Sequence, residues 1–266
     1  MAAAGRPLKL AAIALLLVLA AGAALWAYQR EARPEVQGPL GLMSSLPIYW
    51  PDGADLQVAL DADTPLPWVR SSLEQRYRIV PLDTLAPGAG AAASADPLAG
   101  IERLLIAQPR GLSPADNVAL DQWVRDGGRL LFVLDPMLAG QYAVPLGDPR
   151  HPVSVGLIPP VLIRWGLDMR YSENQPFAPR EVDYGAGTVP VLLGGELVMA
   201  EADPSASAED RAARGDCRIL ENAIVAQCKV GKGRVTVLAD AALLELPDPL
   251  DASEDQLAAL TELAFD

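Results

Sequence analysis

The sequence is poor in the side chains on which many catalytic and metal sites depend. Its 266 residues include one histidine, two cysteines and only 5% aromatic residues. A single histidine, His151, excludes a multi-histidine zinc or iron site, and it leaves one candidate for any Ser-His or Cys-His pair. Basic residues are also scarce, with 21 Lys and Arg against 34 Asp and Glu. Because nucleic-acid binding depends on clustered Lys and Arg, this balance argues against a nucleic-acid partner.

One long apolar run is present near the N-terminus. Residues 10–28 carry no charge and end in Trp26 and Tyr28, while Arg6 and Lys9 precede the run. Their 19 residues are close to the ~20 that a helix needs to cross a bilayer. The preceding positive charge predicts a cytoplasmic N-terminus, and the two aromatics suit the far interface.

A cleaved signal peptide is the alternative to a membrane anchor. A cut after Ala27 places Leu25 at the −3 position, where small residues are preferred. We therefore expect an uncleaved, single-pass anchor in a bacterial inner membrane, in contact with lipid, with the rest of the chain in the periplasm. The predicted divisions are a cytoplasmic N-terminus at 1–9, the anchor at 10–28, a polar linker at 29–38 and an extracytoplasmic α/β domain at 39–266.

The clearest structural unit of that domain is a strand, a capped helix and a second strand. Arg103 to Gln108 and Arg129 to Leu134 are continuous apolar runs, typical of parallel strands buried on both faces. Between them, Ser113 suits a helix N-cap, Pro114 the first helical position and Asp116 the acidic partner of a capping box. Such a unit is a βαβ crossover in a parallel sheet.

Several other elements follow from local patterns. We predict a helix within Pro65–Tyr77 and a terminal helix over Asp251–Phe265, and strands at the ranges given next. These strands are Leu40–Trp50, Asp55–Leu60, Arg78–Leu82, Leu167–Tyr171, Thr188–Leu193, Glu196–Ala200 and Arg234–Ala239. Gly194-Gly195 predicts a hairpin between Thr188–Leu193 and Glu196–Ala200, whereas Glu173–Asp183 is polar and irregular.

The two cysteines fall on opposite arms of a second predicted hairpin. Pairing Cys217 with Cys228 places residue 219 opposite residue 226, a consistent antiparallel register. In an oxidising compartment this register permits a cross-strand disulfide. Two independent buried thiols are the alternative.

Acidic residues directly follow two of the apolar strands. Asp135 and Asp240 would then lie at the carboxyl edge of the sheet, where open α/β sheets bind ligands. Asp61 and Asp63, after Leu60, belong to the same class. Alternatively, each Asp caps a turn or a helix. Arg150 and His151, in a loop rich in glycine and proline, are candidates for contact with an anion. The residues indicate no cofactor and no resident metal.

Three segments together resemble a known family. The stretch RLLIAQPRGLSPADNVALDQWVRDGGRLLFVLDP, the helix PPVLIRWGLDMR and the strand GKGRVTVLADAALL resemble GldG-like proteins, auxiliary components of ABC-type transport and gliding-motility systems. The resemblance implies a flavodoxin-like, glutamine amidotransferase-like fold. We expect a mostly parallel sheet with flanking helices and a β-hairpin insertion, after one N-terminal transmembrane helix.

The chain departs from the amidotransferase enzymes at one position. Those enzymes carry a nucleophilic Cys on a sharp strand-to-helix turn, whereas the strand ends here read Gln108-Pro109 and Asp135-Pro136. The resemblance therefore implies the fold without that chemistry. We expect a non-enzymatic subunit that binds an ABC permease or an envelope protein. The alternatives are a small-ligand receptor, and an envelope hydrolase that uses Asp135 and Asp240.

Overall fold

A computed structural model describes residues 36–54, 61, 63–88, 96–201, 204–205 and 207–266. The chain divides into two units, residues 1–37 and 38–266, and all elements described below belong to the second. The strands are β1 Pro39–Ser44, β2 Arg78–Pro81, β3 Arg103–Ala107, β4 Arg129–Val133, β5 Leu167–Arg170, β6 Arg180–Asp183, β7 Thr188–Val191, β8 Glu196–Met199, β9 Asp216–Ile219, β10 Val225–Val230 and β11 Gly233–Leu238. The helices are α1 Trp68–Glu74, α2 Pro114–Asp126, α3 Pro160–Trp165, α4 Ala208–Ala213, α5 Ala242–Glu245 and α6 Ser253–Phe265, with a 3₁₀ turn at Glu221–Ala223.

A seven-stranded sheet forms the centre of the domain. Its order is β2-β1-β3-β4-β11-β10-β9, and the strands from β2 to β11 run parallel. The five parallel strands follow the order 2-1-3-4-5 that is typical of flavodoxin-like sheets. β10 and β9 extend the sheet in antiparallel fashion. The predicted mixed α/β class with a mostly parallel sheet is confirmed.

The unit β3-α2-β4 forms as its sequence predicts. Ser113 Oγ accepts a hydrogen bond from Asp116 N at 3.1 Å, and Asp116 Oδ2 accepts one from Ser113 N at 3.1 Å. This capping box satisfies backbone donors at the start of α2. The helix ends at Asp126 and is capped by Gly127, whose φ of 126° lies in the region that favours glycine. β3 and β4 then pair in parallel from Arg103 and Arg129 to Ala107 and Val133.

Both faces of the central sheet are covered. Leu104 to Ala107 in β3 and Leu130 to Val133 in β4 are all buried, although successive side chains point to opposite faces. α6 packs against β4, β11 and α1, while α2 packs against β11 and α3. We call the end of the sheet at which loops follow β1, β3, β4 and β11 its carboxyl edge.

The predicted Gly194-Gly195 hairpin is wrong. β7 pairs with β6, a strand that lies within the segment Glu173–Asp183 predicted to be irregular. β8 pairs with β5. Between β7 and β8, the N–H of Leu192 donates to Asp240 Oδ2 at 2.8 Å and that of Gly195 donates to Ala239 O at 2.7 Å. The connection is held by the segment after β11, so β7 and β8 do not close on each other.

The cysteine hairpin has the predicted register. Cys217 in β9 lies opposite Cys228 in β10, and the two form a disulfide. Two other predictions concern residues outside those described, namely the anchor at 10–28 and the strand at Asp55–Leu60. Within the described ranges, no helix combines the length and apolarity needed to cross a bilayer.

Candidate binding site at the carboxyl edge of the sheet

Asp135 and Asp240 lie at the carboxyl edge of two adjacent parallel strands, β4 and β11. Their side chains are 0% and 1% exposed. Asp135 accepts hydrogen bonds from the N–H groups of Met137 at 2.7 Å and Ala241 at 3.0 Å. One carboxylate thereby joins the loop after β4 to the segment after β11.

Asp240 has the same kind of role at the next position. Its Oδ1 accepts from Ala242 N at 2.6 Å and its Oδ2 from Leu192 N at 2.8 Å. A Cβ at Gly194 would lie 2.7 Å from this Oδ2, so the close approach of the loop requires glycine there. Asp240 therefore holds the chain after β7 against the start of α5.

Burial and proximity make it unfavourable for both carboxyl groups to be charged. Burial raises the pKa of Asp135 to about 6, although its two backbone hydrogen bonds oppose the shift. Burial also raises the pKa of Asp240 well above its usual range, and the charge of Asp135 adds to the effect. The charge of Glu245 raises both pKa values further.

Gln108 is the residue of this edge whose importance the sequence did not indicate. It follows β3, is fully buried and has a positive φ of 44°. Its Nε2 donates to Asp135 O at 3.0 Å and to Val153 O at 2.7 Å, and its Oε1 accepts from Asp135 N at 2.8 Å. Ser45, after β1, donates from Oγ to Gln108 O at 2.5 Å. These bonds close the sheet edge between β1, β3 and β4.

The other predicted site residues do not join this group. Arg150 pairs with Asp148 at 2.8 Å and donates to Gly53 O at 3.1 Å, so it holds loops together. His151 lies edge-on to Tyr142, with ring centroids 5.1 Å apart. Asp61 is exposed and accepts from the N–H of Asp63 at 3.0 Å, a local turn contact. None of these three predicted residues, Asp61, Arg150 and His151, lines the crevice described next.

A crevice of about 930 Å³ lies at the same edge of the sheet. Its walls come from the segments after β1, β4, β7 and β11 together with α1 and β6. Leu192 and Ala242 both line it, and their N–H groups bind Asp240. The buried carboxyl pair thus shapes the crevice wall, although Asp135 and Asp240 do not themselves line it.

Glu245 and Tyr142 form the polar part of this wall. Glu245 Oε1 accepts from Tyr142 Oη at 2.5 Å and from Gly140 N at 2.9 Å. Burial and the neighbouring Glu245 raise the pKa of Tyr142, so its hydroxyl remains a donor at neutral pH. Among the described residues, no group of three or more His, Cys, Asp or Glu side chains is arranged to hold a metal ion.

The class that the fold defines is a mixed α/β domain with a flavodoxin-like order of parallel strands. The family described as "ABC-type uncharacterized transport system" matches residues 39–175, just over half of the chain. The chain belongs to this family and is an auxiliary component of an ABC-type transport system. Comparison with curated proteins finds no match.

Two glycosidases and a cytoplasmic protein are among the solved structures to which this chain is distantly similar. An exo-β-1,4-mannosidase from Opitutaceae bacterium strain TAV5 has 15% identity and a TM-score of 0.45, over 89% of this chain and 37% of its own. A β-galactosidase from Rahnella sp. R3 has 12% identity and a TM-score of 0.41, over 88% and 32%. A cytoplasmic protein from Salmonella typhimurium has 10% identity and a TM-score of 0.40, over 85% and 98%. The chain spans about a third of each glycosidase, and likenesses this distant assign it no activity.

Proposed function

We propose that this chain is a non-enzymatic subunit of its ABC-type transport system and acts by binding. In this proposal residues 10–28 anchor it in the inner membrane, and residues 39–266 lie in the periplasm and contact the permease or another envelope protein. One observation carries the proposal. The polar side chains at the ends of β3, β4 and β11 are buried and bonded to the chain's own backbone, beside an open crevice.

The strand ends support binding over catalysis. An α/β enzyme places reactive side chains in the crevice at this edge. Here Gln108, Asp135 and Asp240 turn inward and hold loops in place. The resemblance implies that amidotransferase enzymes carry a nucleophilic Cys at a strand end, whereas the strand ends here carry Gln108 and Asp135. The positive φ of Gln108 suits a sharp turn, while its side chain only cross-links backbone groups.

The disulfide supports a position outside the cytoplasm. Disulfides persist in oxidising compartments such as the periplasm and are rare in the cytosol. Cys217 and Cys228 are bonded to each other at directly opposed positions of β9 and β10. The apolar run at 10–28 supplies the means of export and anchoring.

Co-purification from membranes tests the proposal. The full chain, with an affinity tag at its C-terminus, is captured from membranes solubilised in mild detergent, and bound proteins are identified by mass spectrometry. We expect a permease of an ABC-type system to be enriched. The matched control joins residues 1–38 to an unrelated exported domain, which should not enrich it. Equal recovery by both chains, or no permease with either, would contradict the proposal.

A hydrolase that uses Asp135 and Asp240 is the second candidate function. The raised pKa of Asp135, about 6, is the kind of shift that a general acid requires. The hydrolase predicts that Asp135→Asn and Asp240→Asn abolish an activity while the melting temperature is unchanged. If the chain acts by binding, both variants should instead have a lower melting temperature. Each Asp accepts one backbone N–H bond on each of its two oxygens, and Asn keeps only one of these oxygens.

A further inference from the structure

We propose that the crevice at the carboxyl edge binds an organic cation, an ammonium or guanidinium group carried on an apolar body. The volume of about 930 Å³ suits a drug-sized molecule. This assignment concerns a small ligand and holds whether or not the chain contacts a permease. The two proposals therefore fail independently.

The walls of the crevice are suited to an apolar body. Val69 and Leu244 are buried beneath its surface, while Leu66 and Leu250 are 47% and 62% exposed at its rim. Trp68 contributes an aromatic side chain. Burial of apolar ligand surface against such side chains contributes about 25 cal/mol per Å².

The charges on the lining favour a cation. Four carboxylates line the crevice, against one basic side chain, Arg180; the acids are Asp52, Glu181, Glu245 and Asp248. Within the described ranges, none of the four acids forms an ion pair with Lys or Arg. Their charge is therefore not neutralised by the chain's own bases, and a ligand of opposite charge would gain from it.

The hydrogen-bonding groups of the lining point in the same direction. Seven prolines line the crevice and supply no N–H donors; they are Pro47, Pro51, Pro65, Pro67, Pro179, Pro190 and Pro247. Two side-chain donors are already used, since Trp68 Nε1 donates to Leu246 O at 2.8 Å and Tyr142 Oη donates to Glu245. The crevice is thus rich in acceptors and poor in donors, and it suits a ligand that brings N–H groups.

The crevice is also largely preformed. The bond from Trp68 ties α1 to the end of α5, and Asp52 Oδ2 accepts from Ala143 N at 2.5 Å. Prolines fix φ in several of the lining segments. A preformed site loses less conformational entropy on binding than one that must be ordered.

Three ligands with the same apolar body and different charge test the proposal. These are 4-phenylbutylamine, 4-phenylbutanol and 4-phenylbutyrate, titrated into the full chain in detergent and followed by calorimetry. We expect the amine to bind at least about tenfold more tightly than the carboxylate, with the alcohol between them. Added salt should lower the affinity for the amine and leave the affinity for the alcohol unchanged.

Variants of the lining test the location. The double variant Glu245→Gln, Asp248→Asn removes two charges, and the new glutamine amide keeps an acceptor for Tyr142 and Gly140. It should lower the affinity for the amine about five- to tenfold and leave the affinity for the alcohol unchanged. Arg180→Gln should have the opposite effect and raise the affinity for the amine. The matched control is Glu201→Gln, an exposed acid that does not line the crevice, with no expected change.

Three outcomes would overturn the proposal. They are absence of binding by all three ligands, equal or tighter binding of the carboxylate, and a preference for the amine that the double variant does not alter. In the last case the amine binds elsewhere, by general attraction to a chain of net charge −13. Circular dichroism of the double variant and the control establishes that both remain folded.

Discussion

At the scale of the residue, three buried polar side chains determine how the carboxyl edge is built. Gln108, Asp135 and Asp240 each bond to backbone groups far away in sequence. Buried polar groups require such partners, because an unpaired donor or acceptor costs about 1–3 kcal/mol. Each of these side chains is therefore expected to stabilise the fold through loops that would otherwise be loosely held.

Gln108 allows a comparison of two substitutions that lose the same bonds. Gln108→Ala and Gln108→Gly both remove the contacts to Asp135 and Val153. The φ of 44° is strained for alanine and not for glycine, so the alanine variant should be less stable than the glycine variant by about 1 kcal/mol. Urea unfolding measures the difference. If alanine is the more stable of the two, this residue does not adopt the left-handed conformation.

The buried carboxyl pair predicts a pH dependence of stability. The pKa of Asp135 in the folded chain, about 6, lies above the ordinary value of 3.8 for an aspartate. Its contribution to stability is therefore complete at low pH and is lost as the pH rises through 6. We expect the free energy of unfolding to fall by roughly 1–3 kcal/mol between pH 5 and pH 8 because of this pair.

Denaturation at a series of pH values, with Asp135→Asn as the comparison, isolates this effect. Between pH 5 and pH 8 the free energy of unfolding should fall less in the variant than in the natural chain, because one of the two interacting charges is absent. An equal or larger loss in Asp135→Asn would contradict the assignment of the shift to this pair.

At the scale of the element, helix α2 depends on Asp116 for more than its cap. Besides its bonds with Ser113, Asp116 Oδ1 accepts from Thr84 Oγ1 at 2.7 Å, Leu85 N at 2.8 Å and Ala86 N at 3.1 Å. Burial opposes ionisation, but these bonds hold the pKa of Asp116 at about 2. One carboxylate therefore joins the start of α2 to the segment after β2.

Removal of this carboxylate should be costly and should depend on pH. Asp116→Ala is expected to lower the free energy of unfolding by about 2–3 kcal/mol at pH 7. Because the pKa of Asp116 in the folded chain lies below the ordinary value of 3.8, the loss of stability should shrink as the pH falls from 4 to 2. Asp126→Ala, an exposed site at the other end of α2, is the control and should change stability by less than about 0.5 kcal/mol. A similar loss in both variants at every pH would contradict this role.

The hairpin of β9 and β10 is held by its disulfide. The double variant Cys217→Ala, Cys228→Ala should be less stable than the oxidised chain by about 3 kcal/mol, the loop-closure value for a short loop. Thermal unfolding of the double variant and of the natural chain, with and without reductant, measures this. Reductant should lower the melting temperature of the natural chain alone. No difference between the two chains without reductant would contradict the prediction.

Local patterns predicted some elements and failed on others for physical reasons. β3-α2-β4 and the cysteine register follow from signals within about 30 residues, namely apolar runs, a capping box and opposed cysteines. The connection after β7 is held by a hydrogen bond from Leu192 N to Asp240, almost 50 residues further along the chain, and no local pattern predicts such a contact. Asp135 and Asp240 were correctly placed at one edge, but the inward direction of their side chains required the structure.

At the scale of the whole molecule, the crevice illustrates the limit of sequence-based prediction. Its lining comes from segments between Pro47 and Leu250, brought together by the parallel order of the sheet. Most of these segments are loops, joined by residues of α1, α5 and β6. The charge is also a property of the whole molecule, since four acids from three distant segments line one crevice together with a single Arg.

The proposed position of residues 39–266 outside the cytoplasm is the central claim, and thiol alkylation of freshly denatured cells tests it most directly. Cells that produce the full chain are treated with a mass-adding maleimide under denaturing conditions, with and without prior reduction. We predict that Cys217 and Cys228 react only after reduction and that the chain stays in the membrane fraction after alkaline washing. The control, a chain that begins at residue 39, remains in the cytoplasm and should react at once. Immediate reaction of both cysteines in the full chain, or its release by the wash, would contradict the claim.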